Sequence, residues 1–238
     1  MLRLGDSANF SRTLAAIALV VGPLLLAISS LLDPAWDDDA ATYLAEVADN
    51  EGAYVAAGAF GTVGSLFFVV GMLGVMRLMR RRGLTLGQVA AGLLVFGMIG
   101  LTPILAFNGF DVVLADADNR DAAVAIYEDV EESAAVTIYW VSFFMIGIVL
   151  GSILLAVALF RRRIVPIWSP ILLILAIVVG FFGQSSVVSA LSFLVLGAAL
   201  YPLAMKIWNL GDDQWKHWEL PLEEKTQAAA PAATQSPA

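Results

Sequence analysis

Cysteine is absent from this 238-residue chain, histidine occurs once, at His217, and charged side chains make up only 14%. Those absences remove disulfides, thiol chemistry, Cys/His metal sites and Cys- or His-ligated haem or iron–sulfur centres, so no metal or cofactor is expected. The 13 Lys and Arg against 21 Asp and Glu give a net charge of −8. That argues against nucleic acid as a partner, because binding polyphosphate takes clustered positive surface. Apolar residues are what the chain has in excess: 60% of it is hydrophobic, with a mean hydropathy of +0.83. Soluble domains run at about 45–50% apolar, so the composition is that of a membrane protein.

A bilayer core about 30 Å thick takes roughly 20 apolar residues per helix. Six runs of that size lack Asp and Glu entirely: Leu14 to Leu32, Tyr54 to Met79, Leu86 to Phe107, Ala134 to Phe160, Ile164 to Phe182 and Val187 to Trp208. Their only cations are Arg77 and Lys206, each near one end of its run. The third run reaches Leu114 if Asn108 and Asp111 are taken in. A β-barrel would need alternation over about 10 residues, and stretches such as Ile171 to Val179 do not alternate. The expected fold is all-α: one membrane domain of six transmembrane helices over residues 1–225, with an interfacial segment at about 209–225.

Basic residues set the orientation. Arg3 and Arg12 precede the first run, Arg77, Arg80, Arg81 and Arg82 lie between the second and third, and Arg161, Arg162 and Arg163 between the fourth and fifth. Lys206, Lys216 and Lys225 close the set, so twelve of thirteen cations share one side and only Arg120 lies opposite. The positive-inside rule then puts both termini in the cytoplasm of a bacterial-type cell with a multi-pass protein in its inner membrane. The first run, 19 residues long, exceeds the roughly 7–15 of a signal peptide's apolar region, so it is expected to be a retained span.

The two long outer segments resemble each other. One carries Asp39-Ala40-Ala41 and Tyr43, then a span, then Arg80-Arg81-Arg82; the other carries Asp121-Ala122-Ala123 and Tyr127, then a span, then Arg161-Arg162-Arg163. The offsets are 82 and 81, and Pro23 and Pro103 in the preceding spans are 80 apart. Such a period reads as a duplicated helical hairpin in parallel orientation. Each segment is expected to hold a short acidic helix on the outer surface, from Ala40 to about Ala48 and from Ala122 to about Val130. Neither segment is long enough to build a core of its own.

Close helix packing in lipid relies on small residues. Ala53, Ala57, Gly61 and Ser65 form one four-spaced strip, and Gly147 and Gly151 another, so both are expected to face neighbouring helices. Trp208, Trp215 and Trp218, interspersed with Lys206, Lys216 and His217, read as anchors in the headgroup layer. Residues 226–238 contain only Ala, Pro, Thr, Gln and Ser, a composition that leaves them disordered.

Ionisable groups at membrane depth would mark proton relays or ion coupling, and the depth of these runs holds none. No catalytic residue can be nominated. The remaining polar groups lie near the outer face: Asn108, Asp111, Tyr139, Ser142, Gln184 and Ser185, which together could line a shallow pocket under the acidic helices. The plainer alternative is that Asn108 and Gln184 satisfy helix-end carbonyls and Asp111 is solvated. Outside, fifteen acids face Arg120 alone, whereas inside twelve cations face six acids. The outer face therefore suits cations or a protein partner with a basic surface, besides the lipid bilayer itself.

The segment Asp39-Ala40-Ala41-Thr42-Tyr43-Leu44 and the run Gly71-Met72-Leu73-Gly74-Val75-Met76-Arg77 resemble features of small uncharacterised bacterial multi-pass membrane protein families of unknown function. The resemblance covers mainly the first 110 residues and implies no activity. The expected role is a non-catalytic accessory or binding subunit presenting an acidic extracytoplasmic surface. The alternative is a transporter or channel for a small neutral or cationic solute, and a membrane-embedded enzyme comes third. A polar cavity reaching the midplane would favour transport; a dry bundle would favour the accessory role.

Overall fold

The computed structural model describes residues 6–34, 39–81, 85–106, 108–182 and 185–216. Of the residues nominated above, Arg3, Arg82, Gln184, His217, Trp218 and Lys225 lie outside them, as do residues 226–238. The described residues are almost wholly helical and include no strand. In chain order they form α1 (Ser7–Leu32), α2 (Ala40–Asp49), α3 (Glu51–Arg81), α4 (Thr85–Ala106), α5 (Asn108–Ala115), α6 (Arg120–Glu131) and α7 (Ala134–Trp140). A π-helical stretch, Val141–Leu150, then leads without interruption into α8 (Gly151–Arg162), followed by α9 (Trp168–Phe182), α10 (Ser186–Trp208) and α11 (Asp212–Lys216).

Five of these rods are long and apolar enough to cross a membrane: α1, α3, α4, the continuous α7–π–α8 rod and α10. α9 has 15 residues and is shorter. The sequence pattern places the fifth span from Ile164; helix α9 begins only at Trp168. Arg163 takes a left-handed conformation (φ 48°) that ends α8, and Pro166 disfavours helix in the residue before it. Ile164 and Val165 are buried in the core as non-helical chain. Phe107, between α4 and α5, lies outside the described residues; Asn108 and Asp111 belong to α5.

Packing follows chain order and closes on itself. α1 packs on α3, α3 on α4, α4 on the π segment and α8, α8 on α9, α9 on α10, and α10 back on α1. Opposed pairs show that neighbours run antiparallel: Ser29 Oγ donates to the Ala57 carbonyl at 2.7 Å, Tyr139 to Gly100 at 2.6 Å and Ser169 to Ala199 at 2.7 Å. Six rods thus make an up-and-down ring. One end carries α2, α5 and α6 and is called the acidic end; the other carries Arg77, Arg80 and Arg161 to Arg163 and is called the arginine end.

Glycines set the close crossing of α1 and α3. A Cβ on Gly22 would stand 2.8 Å from the Phe68 nitrogen, and one on Gly64 would stand 3.0 Å from the Leu26 nitrogen, so α1 and α3 meet backbone to backbone. The expected strip on α3 is buried at Ala57, Gly61 and Ser65, and Gly147 meets Gly97 of α4.

At the arginine end, large side chains fill the ring: Leu19, Met72, Leu78, Met79, Leu155, Leu159, Leu203 and Ile207 are all fully buried. α11 closes that end. Trp215, only 3% exposed, lies under the Arg77 guanidinium (4.5 Å from ring centroid) and donates its indole N–H to Ser11 Oγ at 2.9 Å. Arg12 pairs with Asp212 at 3.1 Å, and Lys216 with Asp6 at 3.4 Å. Trp215 therefore packs into the protein, because a cation and a hydroxyl draw it inward. Trp208, 45% exposed, keeps the outward position that an interface anchor requires.

Candidate functional site

Two features of the acidic half carry unusual polar chemistry. The first is the cap made by α2, α5 and α6. α2 starts because Asp39 caps it, its carboxylate accepting from the Thr42 N–H at 2.9 Å; Asn119 caps α6 in the same way through the Ala122 N–H at 3.2 Å. Neither segment supports a core alone, but together they do. Leu44 and Val47 of α2, Leu114 and Ala115 of α5, Ala123 of α6 and Tyr54 at the start of α3 form a second buried cluster, separate from the ring's core.

Asp111 sits at the junction of that cap with the ring. Its carboxylate accepts from the Tyr54 hydroxyl at 2.6 Å and the Tyr43 hydroxyl at 3.2 Å, and the two tyrosine hydroxyls are themselves hydrogen-bonded. Asn108 donates to the Tyr54 carbonyl at 3.3 Å. Tyr127 packs against Tyr43 with ring centroids 5.1 Å apart, so the tyrosines of the two similar outer segments touch. Burial raises Asp111 above the usual carboxylate range, with the two phenols pulling the other way. Burial is also the main reason that Tyr43 is raised. With three elements joined at one carboxylate, the arrangement is a latch that docks the cap on α3.

The second feature is a cavity of about 500 Å³ inside the ring, within the range of small-molecule sites. Every rod lines it. α1 contributes Ser29, Ser30 and Asp33, α3 Ser65 and Phe68, and α4 Leu94 and Met98. The π segment brings Phe144 and Ile148 to the same wall, and α8 adds Ser152. α9 supplies Ala176, Gly180 and Phe181, and α10 supplies Ser189, Ser192, Phe193 and Leu200. Asp33 ends α1 and Ser189 lies in the first turn of α10, so the cavity reaches the acidic end. Ser65, Ser152 and Leu200 place its floor near the middle of the rods. Beyond that floor lies the packed arginine half, which makes the space a blind cup.

The cup's hydroxyls are mostly committed. Ser29 donates to Ala57, Ser30 to the Leu26 carbonyl at 3.2 Å with Ser189 Oγ 3.2 Å away, and Ser192 to the Ser189 carbonyl at 2.9 Å. Ser65 and Ser152 are not: no hydrogen bond engages Ser152, and Ser65 is fully buried with no hydrogen-bond partner for its Oγ. An unpaired buried hydroxyl costs about 1–3 kcal/mol, so the Ser65 hydroxyl stands as an open hydrogen-bonding group in the wall of the cup.

Of the six residues nominated from sequence, five are described. Asn108 and Asp111 converge on Tyr54, Tyr139 bonds Gly100 on α4, and Ser185 caps α10 by accepting from the Val188 N–H at 3.4 Å. Asn108, Asp111, Tyr139, Ser142 and Ser185 do not line the cup, and Gln184 lies outside the described residues. Ser29, Ser30 and Ser192 went unread because serines in membrane helices ordinarily bond their own helix's carbonyls, as Ser30 does, and leave no sequence signal. Among the described residues, no three of His, Cys, Asp and Glu come close enough to hold a metal ion.

A closed helical ring with apolar outer faces and a ligand-sized interior is the build of a membrane protein. More narrowly, the chain belongs to the family described as a domain of unknown function, DUF4386, whose model matches residues 13–210. No curated protein and no solved structure matches it.

Proposed function

We propose that this is a non-catalytic integral membrane protein that holds a small, largely apolar molecule in the cup. The observation that carries the reading is Ser65, a buried hydroxyl without a partner in the wall of a cavity to which all six rods contribute. In this reading α9 is a sixth, short span, and Arg80 to Arg82 and Arg161 to Arg163 hold the arginine end and both termini in the cytoplasm of a bacterial-type cell. The cup then faces outward, and the paired hairpins are products of duplication. Holding a solute at membrane depth from one side is a half-cycle of transport, so the transporter role ranks above the accessory one.

A second reading keeps one specific support. Asp116, Asp118, Asp121, Glu128 and Asp129 are exposed around α6, which suits a basic protein partner docking on the cap.

Native mass spectrometry of the protein released gently from its membrane tests the cup. A small molecule retained one per chain is expected in the wild type and absent from Ala176→Phe, whose ring would occupy the space. A bare wild-type chain, or equal retention in both proteins, refutes the reading.

A further inference from the structure

The ring is not sealed equally along its length. α8 packs on α9, but the π segment packs on α4, and among the described residues no extended interface joins it to α9. On α9, Leu173 is 1% exposed, whereas two turns further toward the acidic end Gly180 and Phe181 line the cup and are exposed as well, Phe181 at 53%. On the π segment, Phe144 and Ile148 line the cup while the intervening Met145 and Ile146 are exposed. Residues that border an interior space and the exterior at once mark an opening in the wall. Both edges of this opening are apolar and belong to membrane-length or apolar helices, so what meets them is lipid hydrocarbon. Resting on the cup as a ligand site, we propose that its occupant is an uncharged lipophile with one oxygen-bearing group, which enters sideways from the bilayer between the π segment and α9 and sets that oxygen against Ser65.

The floor decides the polar end. Ser65 on α3 and Ser152 on α8 make no hydrogen bond, whereas Ser29, Ser30 and Ser192 donate to backbone carbonyls. Phe68 lies one turn from Ser65, Ile148 one turn from Ser152, and Leu200 completes a floor in which no described residue is ionisable. A phosphate, carboxylate or ammonium carried to that depth would meet no counter-charge there, and a desolvated charge is far costlier than a desolvated hydroxyl. A pure hydrocarbon would leave both serines unpaired, and a polyol would bring more polar groups than two open hydroxyls satisfy. One alcohol or carbonyl oxygen on a hydrocarbon body matches the supply. The oxygen accepts from the Ser65 hydroxyl, the body lies along the apolar wall, and its far end trails through the opening into the lipid.

The test uses the full chain in lipid nanodiscs and three photoreactive probes of equal chain length, each with a diazirine in mid-chain: a long-chain primary alcohol, the corresponding sulfonate and the alkane. Saturable labelling of the π segment and α9 by the alcohol is expected, roughly tenfold stronger than by the sulfonate or the alkane. Ser65→Ala should weaken the alcohol's labelling by roughly three- to tenfold and leave the alkane's within about twofold. The wild-type comparison needs no variant, so it stands even if Ser65→Ala folds poorly. Because the chain has no cysteine, Met145→Cys with Val178→Cys, at exposed positions on the two edges, can be bridged by reducible cross-linkers of graded length. Bridging should slow the alcohol's labelling by roughly tenfold, and reduction should restore it. Sulfonate or alkane labelling as strongly as the alcohol, while falling in Ala176→Phe, overturns the oxygen-bearing class and leaves the cup in place. Labelling untouched by the bridge, or a pair that no cross-linker joins, overturns entry beside α9. Failure of every probe to label saturably, or alcohol labelling undiminished in Ala176→Phe, overturns both the inference and the cup.

Discussion

Gly22→Ala adds a single methyl group where α1 and α3 are closest. That Cβ would stand 2.8 Å from the Phe68 nitrogen, 3.0 Å from its Cα and 3.2 Å from the Gly64 carbonyl oxygen. All three neighbours are backbone atoms, which cannot rotate away, so the helices must part by roughly 0.7 Å to restore ordinary contact at about 3.5 Å. Overpacking of this kind costs about 1–3 kcal/mol. Parting also stretches the bond from Ser29 Oγ to Ala57, now 2.7 Å, which is worth about 0.6 kcal/mol in a membrane bundle. Alanine's better helix propensity returns up to about 1 kcal/mol, leaving a net loss of about 1–3 kcal/mol. Gly52→Ala is the control, since nothing lies within 4 Å of its Cβ and only the propensity gain applies. Reversible unfolding in mixed micelles of rising dodecyl sulfate content measures both. A Gly22→Ala protein as stable as Gly52→Ala would refute the claim that backbone contact sets this crossing.

Three other outcomes follow from named contacts. Ser65→Ala removes an unpartnered buried hydroxyl, so empty protein should be unchanged or stabilised by up to about 1 kcal/mol; a clear loss in the same unfolding assay would show that the hydroxyl is satisfied. Asp111 has its folded value raised above the ordinary 3.8, so the folded protein holds this proton more tightly than the unfolded chain. Its stabilisation is therefore complete below 3.8 and lost as pH rises through the raised value, a dependence that Asp111→Asn should flatten in pH-resolved melting. Trp215→Ala deletes the ring under Arg77 and the bond to Ser11, at about 3–5 kcal/mol for a buried tryptophan, and should accelerate amide exchange in α11 and the first turns of α1; unchanged exchange would refute the closure of this end.

The helical class was legible because six runs exclude Asp and Glu, a cost in hydrocarbon that no packing detail hides. Caps were legible too: Asp39 starts α2 at Ala40, since a side-chain acceptor at a helix start is a local matter. Contacts between distant segments were not. Asp111 meets Tyr54 across 57 residues and Tyr43 across 68, and read alone it is a solvated acid. Ser65 was visible only as the last member of a small-residue strip, and that strip does pack against α1. Its second property, an unpaired hydroxyl facing a space, depends on side chains from five other rods. The start of α9 was missed because hydropathy averages over Pro166, whereas the backbone responds to it residue by residue.

The two halves of the ring differ in side-chain volume on the same six rods. At the arginine end the interior positions are Leu, Met and Ile, with α11 pinned across them by Arg77, Arg12 and Ser11. Toward the acidic end the interior positions on α1, α3, α8 and α10 change to serine, with Gly180 on α9, and the difference in volume is the cup. Empty space therefore arises from residue choice at equivalent depth, not from rods drifting apart, since α1 and α3 stay in backbone contact beside it. The same choice limits what this state can do. On the transporter reading proposed above, a solute resting on Ser65 would have no path onward through fully buried Met72, Leu155 and Leu203, so passage would require a second state in which the arginine half opens. That opening must undo the Trp215 and Asp212 contacts first, because they span the end through which the solute would leave.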